Sequence, residues 1–237
     1  ALVAPSFIMV REGYEADEER LRSLAATWAT ERLQRIQQEV AHRAPSLLRI
    51  RNVRVFDPST RKLSAPAAVV IEGRVIKAIE SAQAPPRPDE VVVDGAGGTL
   101  LPGLFEMHAH LSQEGALLNV AAGVTTVRDM GNDNAVLDVL IQRIEAGTLA
   151  GPRVVRSGFI EGRSPFNSNN GIVVTSEAEA LDAVRWYAQR AYWQIKVYNS
   201  MRPEWVPAVV TESHRLGLRV AGHVPAFTTA DAMLEAG

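Results

Sequence analysis

The chain has 237 residues, 46% of them apolar and 22% charged, which gives an ordinary globular protein enough apolar side chain for a sizeable core. A formal charge of -2 excludes the large basic field with which proteins hold nucleic acid or an anionic membrane, and no apolar run is long enough to span a bilayer. Cysteine is absent, which excludes disulfides, thiolate ligands and a thiol nucleophile, so that any metal must take nitrogen and oxygen ligands.

The chain opens on Ala1 rather than methionine, shows no secretory leader pattern, and reads as a processed or excised piece. Residues 6–10 (SFIMV) suit a short strand. Residues 15–42 suit a helix, since Leu21, Leu24, Trp28, Leu33, Ile36 and Val40 recur at three- and four-residue steps. Asp17, Glu18 and Glu19 favour its start, His42 and Arg43 its end, and Pro45 stops it. Such a stripe is ordinarily packing, and residues 1–45 are read as a strand and helix linker.

After Pro45 the period changes to two. Leu48, Ile50, Val53 and Val55 alternate with Arg49, Arg51 and Arg54, and Asp57-Pro58-Ser59-Thr60 makes a turn. Residues 68–71 and 74–79 flank Glu72-Gly73 as a hairpin, and 91–93 follow a connection marked by Pro85, Pro86 and Pro88. These strands suffice for a small sheet with one apolar face, and residues 46–100 are read as a β-subdomain.

From Gly95, Gly97 and Gly98 onward, strand and helix alternate, as in a parallel sheet wrapped by crossover helices. Strands are predicted at 104–110, 124–129, 153–157, 194–198 and 219–223. One helix follows Asp133 and ends at Gly147, with Val136, Val139, Leu140 and Ile144 inward. Another opens with the capping box Ser176 to Glu179 and runs through Trp186 and Tyr187. A third runs from Pro203 to Gly217, and a last one starts at Thr228. Residues 101–237 thus hold five βα units, more than half of an eight-stranded barrel whose active site lies at the C-terminal strand ends. His110, Asp129, Lys196 with Tyr198, and His223 fall at or near those ends. The polar segment 161–171 (EGRSPFNSNNG) is either a cover for such a site or a solvated loop.

Thr99 opens TLLPGLFEMHAHL, an apolar run that suits a buried strand and carries His108 and His110 on one face. Two imidazoles side by side make half a metal site, or two histidines satisfied in a core. Lys196 lies between Ile195 and Val197, where a lysine is rarely buried without a partner or a task. A desolvated amine is nucleophilic and can add carbon dioxide to become a carbamate, an oxygen ligand able to bridge two cations; an ion pair or a snorkelling stem is the structural alternative. His223, in RVAGHVPA, is either a third ligand or a core histidine, and His42 and His214 read as surface residues.

PGLFEMHAHL, GVTTVRDMG, QIKVYNS and RVAGHVPA, in that order, closely resemble motifs of the amidohydrolase superfamily, particularly its imidazolonepropionase-like and prolidase-like branch, over residues 47–237. The resemblance implies an α/β fold, an incomplete (β/α)8 TIM barrel with a small β-sandwich subdomain. It also implies that His108 and His110 bind the more buried of two metal ions, that carbamylated Lys196 bridges the pair, and that His223 binds the second, zinc being the usual metal. The run IKVYNSMRPEW resembles members that carry a β-propeller ahead of the barrel. Glu106 stands where the family usually has aspartate. The family's sixth-strand histidine and eighth-strand aspartate, its general base, have no counterpart here, so the piece alone is expected to be an incomplete catalyst, completed by a downstream region or a second chain.

The implied activity is hydrolysis of an amide, dipeptide-like bond in a small molecule by a hydroxide activated between two metal ions. Tyr198, two residues after Lys196 and on its face, is a candidate substrate or oxyanion contact, and Arg163 a candidate partner for a substrate carboxylate. The alternatives are a non-catalytic barrel scaffold and a mononuclear deaminase, the latter disfavoured by Lys196. No nucleic acid or membrane partner is expected. The compartment, cytoplasmic or exported, and a homo-oligomeric state stay open.

Overall fold

The computed structural model describes residues 2–4, 7–42 and 46–237. The chain divides into two compact units, one formed by Ala1–Glu39 with Leu104–Gly237 and the other by Val40–Gly103. The first unit opens with strands β1 (Leu2–Ala4) and β2 (Phe7–Met9), paired antiparallel, and helix α1 (Glu18–Val40). Ser6, Arg43 and Pro45, to which a strand start and a helix stop are assigned above, lie outside the described residues. Leu21, Leu24, Leu33 and Ile36 are half-buried on α1, whereas Trp28 and Val40 are exposed, so the apolar stripe is narrower than its spacing implies. Polar contacts hold α1 to the rest of its unit: Gln113 Nε2 donates to Thr30 Oγ1 at 3.0 Å, and Gln37 Oε1 accepts from Ala150 N at 2.6 Å.

The second unit is one curled six-stranded sheet built on the long strand β3 (Leu47–Asp57). Its other strands are β4 (Lys62–Leu63), β5 (Ala67–Glu72), β6 (Val75–Ser81), β7 (Val91–Asp94) and β8 (Thr99–Leu100). The hairpin of β5 and β6 turns through Gly73 at φ 58°, a left-handed conformation that suits glycine. β3 is bulged between Ile50 and Val53, with β5 and β7 beside its first half and β4 and β8 beside its second. Arg49 is buried there and donates to Glu80 at 2.8 Å and to Glu90. The described residues supply a single sheet, not the two facing sheets of a sandwich.

The first unit resumes as alternating strands and helices: β9 (Leu104–Ala109), α2 (Gln113–Ala121), β10 (Val124–Asp129), α3 (Asn134–Glu145) and β11 (Arg153–Gly162). There follow β12 (Ile172–Val174), α4 (Glu177–Ala188), β13 (Gln194–Val197), α5 (Val206–Arg215), β14 (Arg219–Gly222) and α6 (Ala230–Glu235). The strands lie in the order β9-β10-β11-β13-β14, all neighbours parallel, with β12 added to the end of β11. Chain order in a parallel sheet is the arrangement of a partial barrel, one connection after another moving one strand along.

Side-chain caps close the starts of α3, α4 and α6, the last of them one residue beyond the start expected at Thr228. Asp133 accepts from Val136 N at 2.9 Å, Ser176 from Glu179 N at 3.2 Å and Thr229 from Ala232 N at 3.2 Å. The core has two parts. Ile160, Ile195 and Val197 pack against Val184 and Tyr187 of α4 and Val209 of α5, and Val127 packs with Leu111, Leu137 and Leu140.

Three expectations change here. β9 is not a buried strand: Leu104 and Phe105 are 57% and 66% exposed, because β9 stands at the sheet edge with β10 as its one strand neighbour. α3 turns Leu140 inward as expected but sets Leu137 beside it and leaves Val136 and Val139 exposed, since two adjacent apolar stripes offered the core a choice. β11 does not stop at Ser157 but continues through Gly162, so Glu161 belongs to the strand rather than to a loop.

Candidate metal centre

The parallel order brings the C-terminal ends of β9, β10, β11, β13 and β14 to one rim. There Lys196, 1% exposed, points its Nζ at Nε2 of His108 across 3.3 Å. The rings of His108 and His110 are 5.4 Å apart, as strand alternation places them on one face. On the other side of Lys196, the Nζ lies 5.5 Å from the centre of the Tyr198 ring, which packs at 4.3 Å against His223 and at 4.8 Å against Phe159. His110, His108, Lys196, Tyr198 and His223 therefore form one continuous series of neighbours, drawn from three strands and the residues that follow them.

Each outer imidazole is oriented by one nitrogen. His110 Nδ1 lies 2.6 Å from the carbonyl of Gly131, and a carbonyl only accepts, so Nδ1 carries the proton and Nε2 presents a lone pair. His223 Nδ1 lies 2.8 Å from Asn199 Oδ1 and is oriented in the same sense. Glu106 accepts from the main-chain N–H of His108 at 2.8 Å and so braces that residue's backbone. Asp129 and Glu161 are fully buried nearby. Asp129 accepts from Leu111 N, Gly131 N and Asn132, and Glu161 from Gly162 N at 3.0 Å and Ser200 N at 2.7 Å.

The electrostatics follow from burial and like charge. Desolvation holds the Lys196 amine below the ordinary lysine value, with Asp129 opposing and Arg128 adding to the shift. Desolvation also lowers His108 and His223, and the neighbouring Lys196 and His110 lower both further. Glu161 is pushed up by burial, against the pull of its main-chain donors.

Imidazole nitrogen is a donor that divalent cations such as zinc take. Among the described residues no three His, Asp or Glu side chains close into a ligand cluster by themselves. A cation held by the histidines would need a further donor, and Lys196 is the buried side chain next to His108. As an ammonium that side chain would repel the cation; as a carbamate it would supply the missing oxygen and a negative charge.

A cavity of about 800 Å³ opens beside His110, lined among others by Leu111, Asn132, Asp133, Val136 and Val139. Arg163 is not brought to the histidines: it is exposed and lines a separate cleft of about 170 Å³ with Arg202 and Trp205. His42 and His214 lie on the surface. Gly131 and Asn199, the partners that orient two of the three rings, are absent from the sequence reading, since a carbonyl and a loop amide carry no spacing signal.

The partial barrel is a fold shared with several solved structures. The structure resembles a putative prolidase from Bifidobacterium longum, with a TM-score of 0.68 at 22% identity over 82% of this chain and 53% of that one. A prolidase complexed with N-methylphosphonate-L-proline gives 0.64 at 20% identity, covering 81% and 59%. The bottromycin amidohydrolase gives 0.64 at 23%, covering 86% and 43%. In sequence, a dihydroorotase of Streptococcus pyogenes serotype M1 is 34% identical over 101 residues, 38% of this chain and 23% of the relative. No protein-family model matches the chain. The likeness is thus a distant one to amidohydrolase-superfamily enzymes, without one branch singled out, and the chain spans less than a quarter of the dihydroorotase.

Proposed function

We propose that this chain is the metal-binding part of a hydrolase that cleaves an amide bond in a small, dipeptide-like substrate, its strands being the first five of an eight-stranded barrel. The observation that carries the reading is Lys196, a buried amine 3.3 Å from His108 with its basicity lowered by desolvation. The prolidases and amidohydrolases that share the fold agree with a substrate of this class.

His108 and His110 would hold one cation and His223 a second, and zinc would suit such nitrogen and oxygen donors. Two such cations, when bound, polarise the amide carbonyl and lower the pKa of water. The chain's own residues prepare that site. The neutral Lys196 amine would attack carbon dioxide, an N–C bond forming as one C=O π pair moves onto oxygen and one nitrogen proton leaves to solvent, which would convert a would-be cation into an anionic oxygen donor. Tyr198, packed between Phe159 and His223 with its ring tilted to both, is held where it would contact substrate. The general-base aspartate that the resemblance implies on an eighth strand has no counterpart on these five.

Metal analysis and a panel of dipeptides, proline-terminated ones included, test this on the complete protein. Two zinc ions per chain and turnover, both lost in Lys196→Ala and His108→Ala, are expected. Undiminished turnover in either variant, or ammonia release from nucleobases in place of dipeptide hydrolysis, would overturn the reading.

A further inference from the structure

Asp129, the last residue of β10, is fully buried, and its carboxylate collects three donors: Leu111 N at 2.7 Å, Gly131 N at 3.0 Å and Asn132 Nδ2 at 2.9 Å. Two of these flank one imidazole. Leu111 follows His110 in the chain, and Gly131 is the residue whose carbonyl accepts from His110 Nδ1 at 2.6 Å. Asn132 completes the brace, since its Nδ2 also donates to the carbonyl of Leu111 at 2.9 Å. Gly131 sits at φ 139°, and a Cβ there would stand 2.4 Å from the Phe159 ring, so this acceptor occupies a backbone position open to glycine.

We propose that Asp129 is a positioning residue that fixes His110 in its Nδ1–H tautomer, Nε2 lone pair toward the cluster, by pinning both the main chain after the ring and the carbonyl that orients it. This rests on the reading of His110 as a ligand. A carboxylate is what three converging N–H groups require: it accepts at every lone pair, whereas an asparagine of the same shape must turn an NH2 toward at least one of those donors. The group touching the ring is the main-chain carbonyl of Gly131, two residues after Asp129, which side-chain substitution cannot remove; the carboxylate is where that contact can be altered.

The test is the tautomer itself, read by long-range 1H–15N correlation of the imidazoles in the metal-free protein, with zinc chloride titration alongside. In wild type His110 is expected as Nδ1–H. In Asp129→Asn it is expected as a mixture of tautomers, with zinc affinity lowered roughly 10- to 100-fold. A folded Asp129→Asn protein whose His110 stays wholly Nδ1–H overturns the proposal, even if zinc binds wild type and the metal reading stands. The converse is distinct: a tautomer shift in a protein that binds no zinc upholds the brace and sinks the metal reading. Should Asp129→Asn not fold, wild type decides: His110 as Nε2–H overturns the proposal, and Nδ1–H with slowly exchanging Leu111 and Gly131 amides upholds it.

Discussion

Lys196 Nζ and His108 Nε2 face each other across 3.3 Å, and two basic nitrogens that close cannot both hold a proton without repulsion. Desolvation sets both groups below their ordinary values, and for His108 the charge of Lys196 adds to the shift. The consequence is a pH-dependent stability with a definite sign. His108 and His223 have folded values below the ordinary 6.5, so just below that pH the unfolded chain binds more protons than the folded one. Their contribution is complete above about pH 6.5 and is lost as the pH falls through the depressed folded values. The urea midpoint in a chelator is expected to drop as the pH is lowered from about 7 to about 5, and the slope to flatten in His108→Asn/His223→Asn. A midpoint insensitive to pH in that window would contradict the assigned environment.

Asn199 orients His223 through Oδ1 at 2.8 Å, and it is the side chain on which that ring depends. Asn199→Ala is expected to weaken zinc at the His223 position roughly 10- to 100-fold, measured by competition with a chelator. Asn199→Asp keeps an acceptor at the same place and makes the ring more basic, so it is expected to retain or tighten binding. Equal affinity in wild type and Asn199→Ala would mean that His223 is no ligand or needs no orienting partner.

The alternation of strand and helix was legible because period and caps agree: Asp133 and Ser176 each close a helix start that the sequence pattern had already located. Lys196 was legible as well, since burial of an amine between Ile195 and Val197 follows from strand alternation. The face of α3 was not. Val136 and Val139 form as good a stripe as Leu137 and Leu140, and only tertiary packing chooses between them. The end of β11 was hidden by Glu161, which reads as a loop residue but is buried because main-chain N–H groups of Gly162 and Ser200 solvate its carboxylate.

Gly162 marks where that strand end meets the segment after β13. A Cβ on it would fall 1.9 Å from the carbonyl oxygen of Ser200, which is main chain and has little room to yield. Gly162→Ala is therefore expected to cost about 1–3 kcal/mol of stability by overpacking and to disturb the Ser200–Glu161 contact. A urea melt coincident with wild type would show that the two segments are looser than this.

Gly158 and Tyr187 offer a test in which two changes are expected to compensate. Tyr187 is fully buried, donates its hydroxyl proton to the Phe159 carbonyl at 2.8 Å, and lays its ring against β11. A Cβ on Gly158 would stand 2.3 Å from Cγ of that ring, so Gly158→Ala is expected to destabilise by about 1–3 kcal/mol. Tyr187→Leu removes the ring and opens a void, costing about 2–5 kcal/mol by the usual large-to-small rule. Because the alanine methyl occupies part of that void, the double variant is expected to be more stable than the sum of the single effects implies, by roughly 0.5–3 kcal/mol in a double-mutant cycle. Strict additivity would mean that the ring and the strand at Gly158 are not in the contact described, and the packing of α4 on β11 would have to be drawn differently.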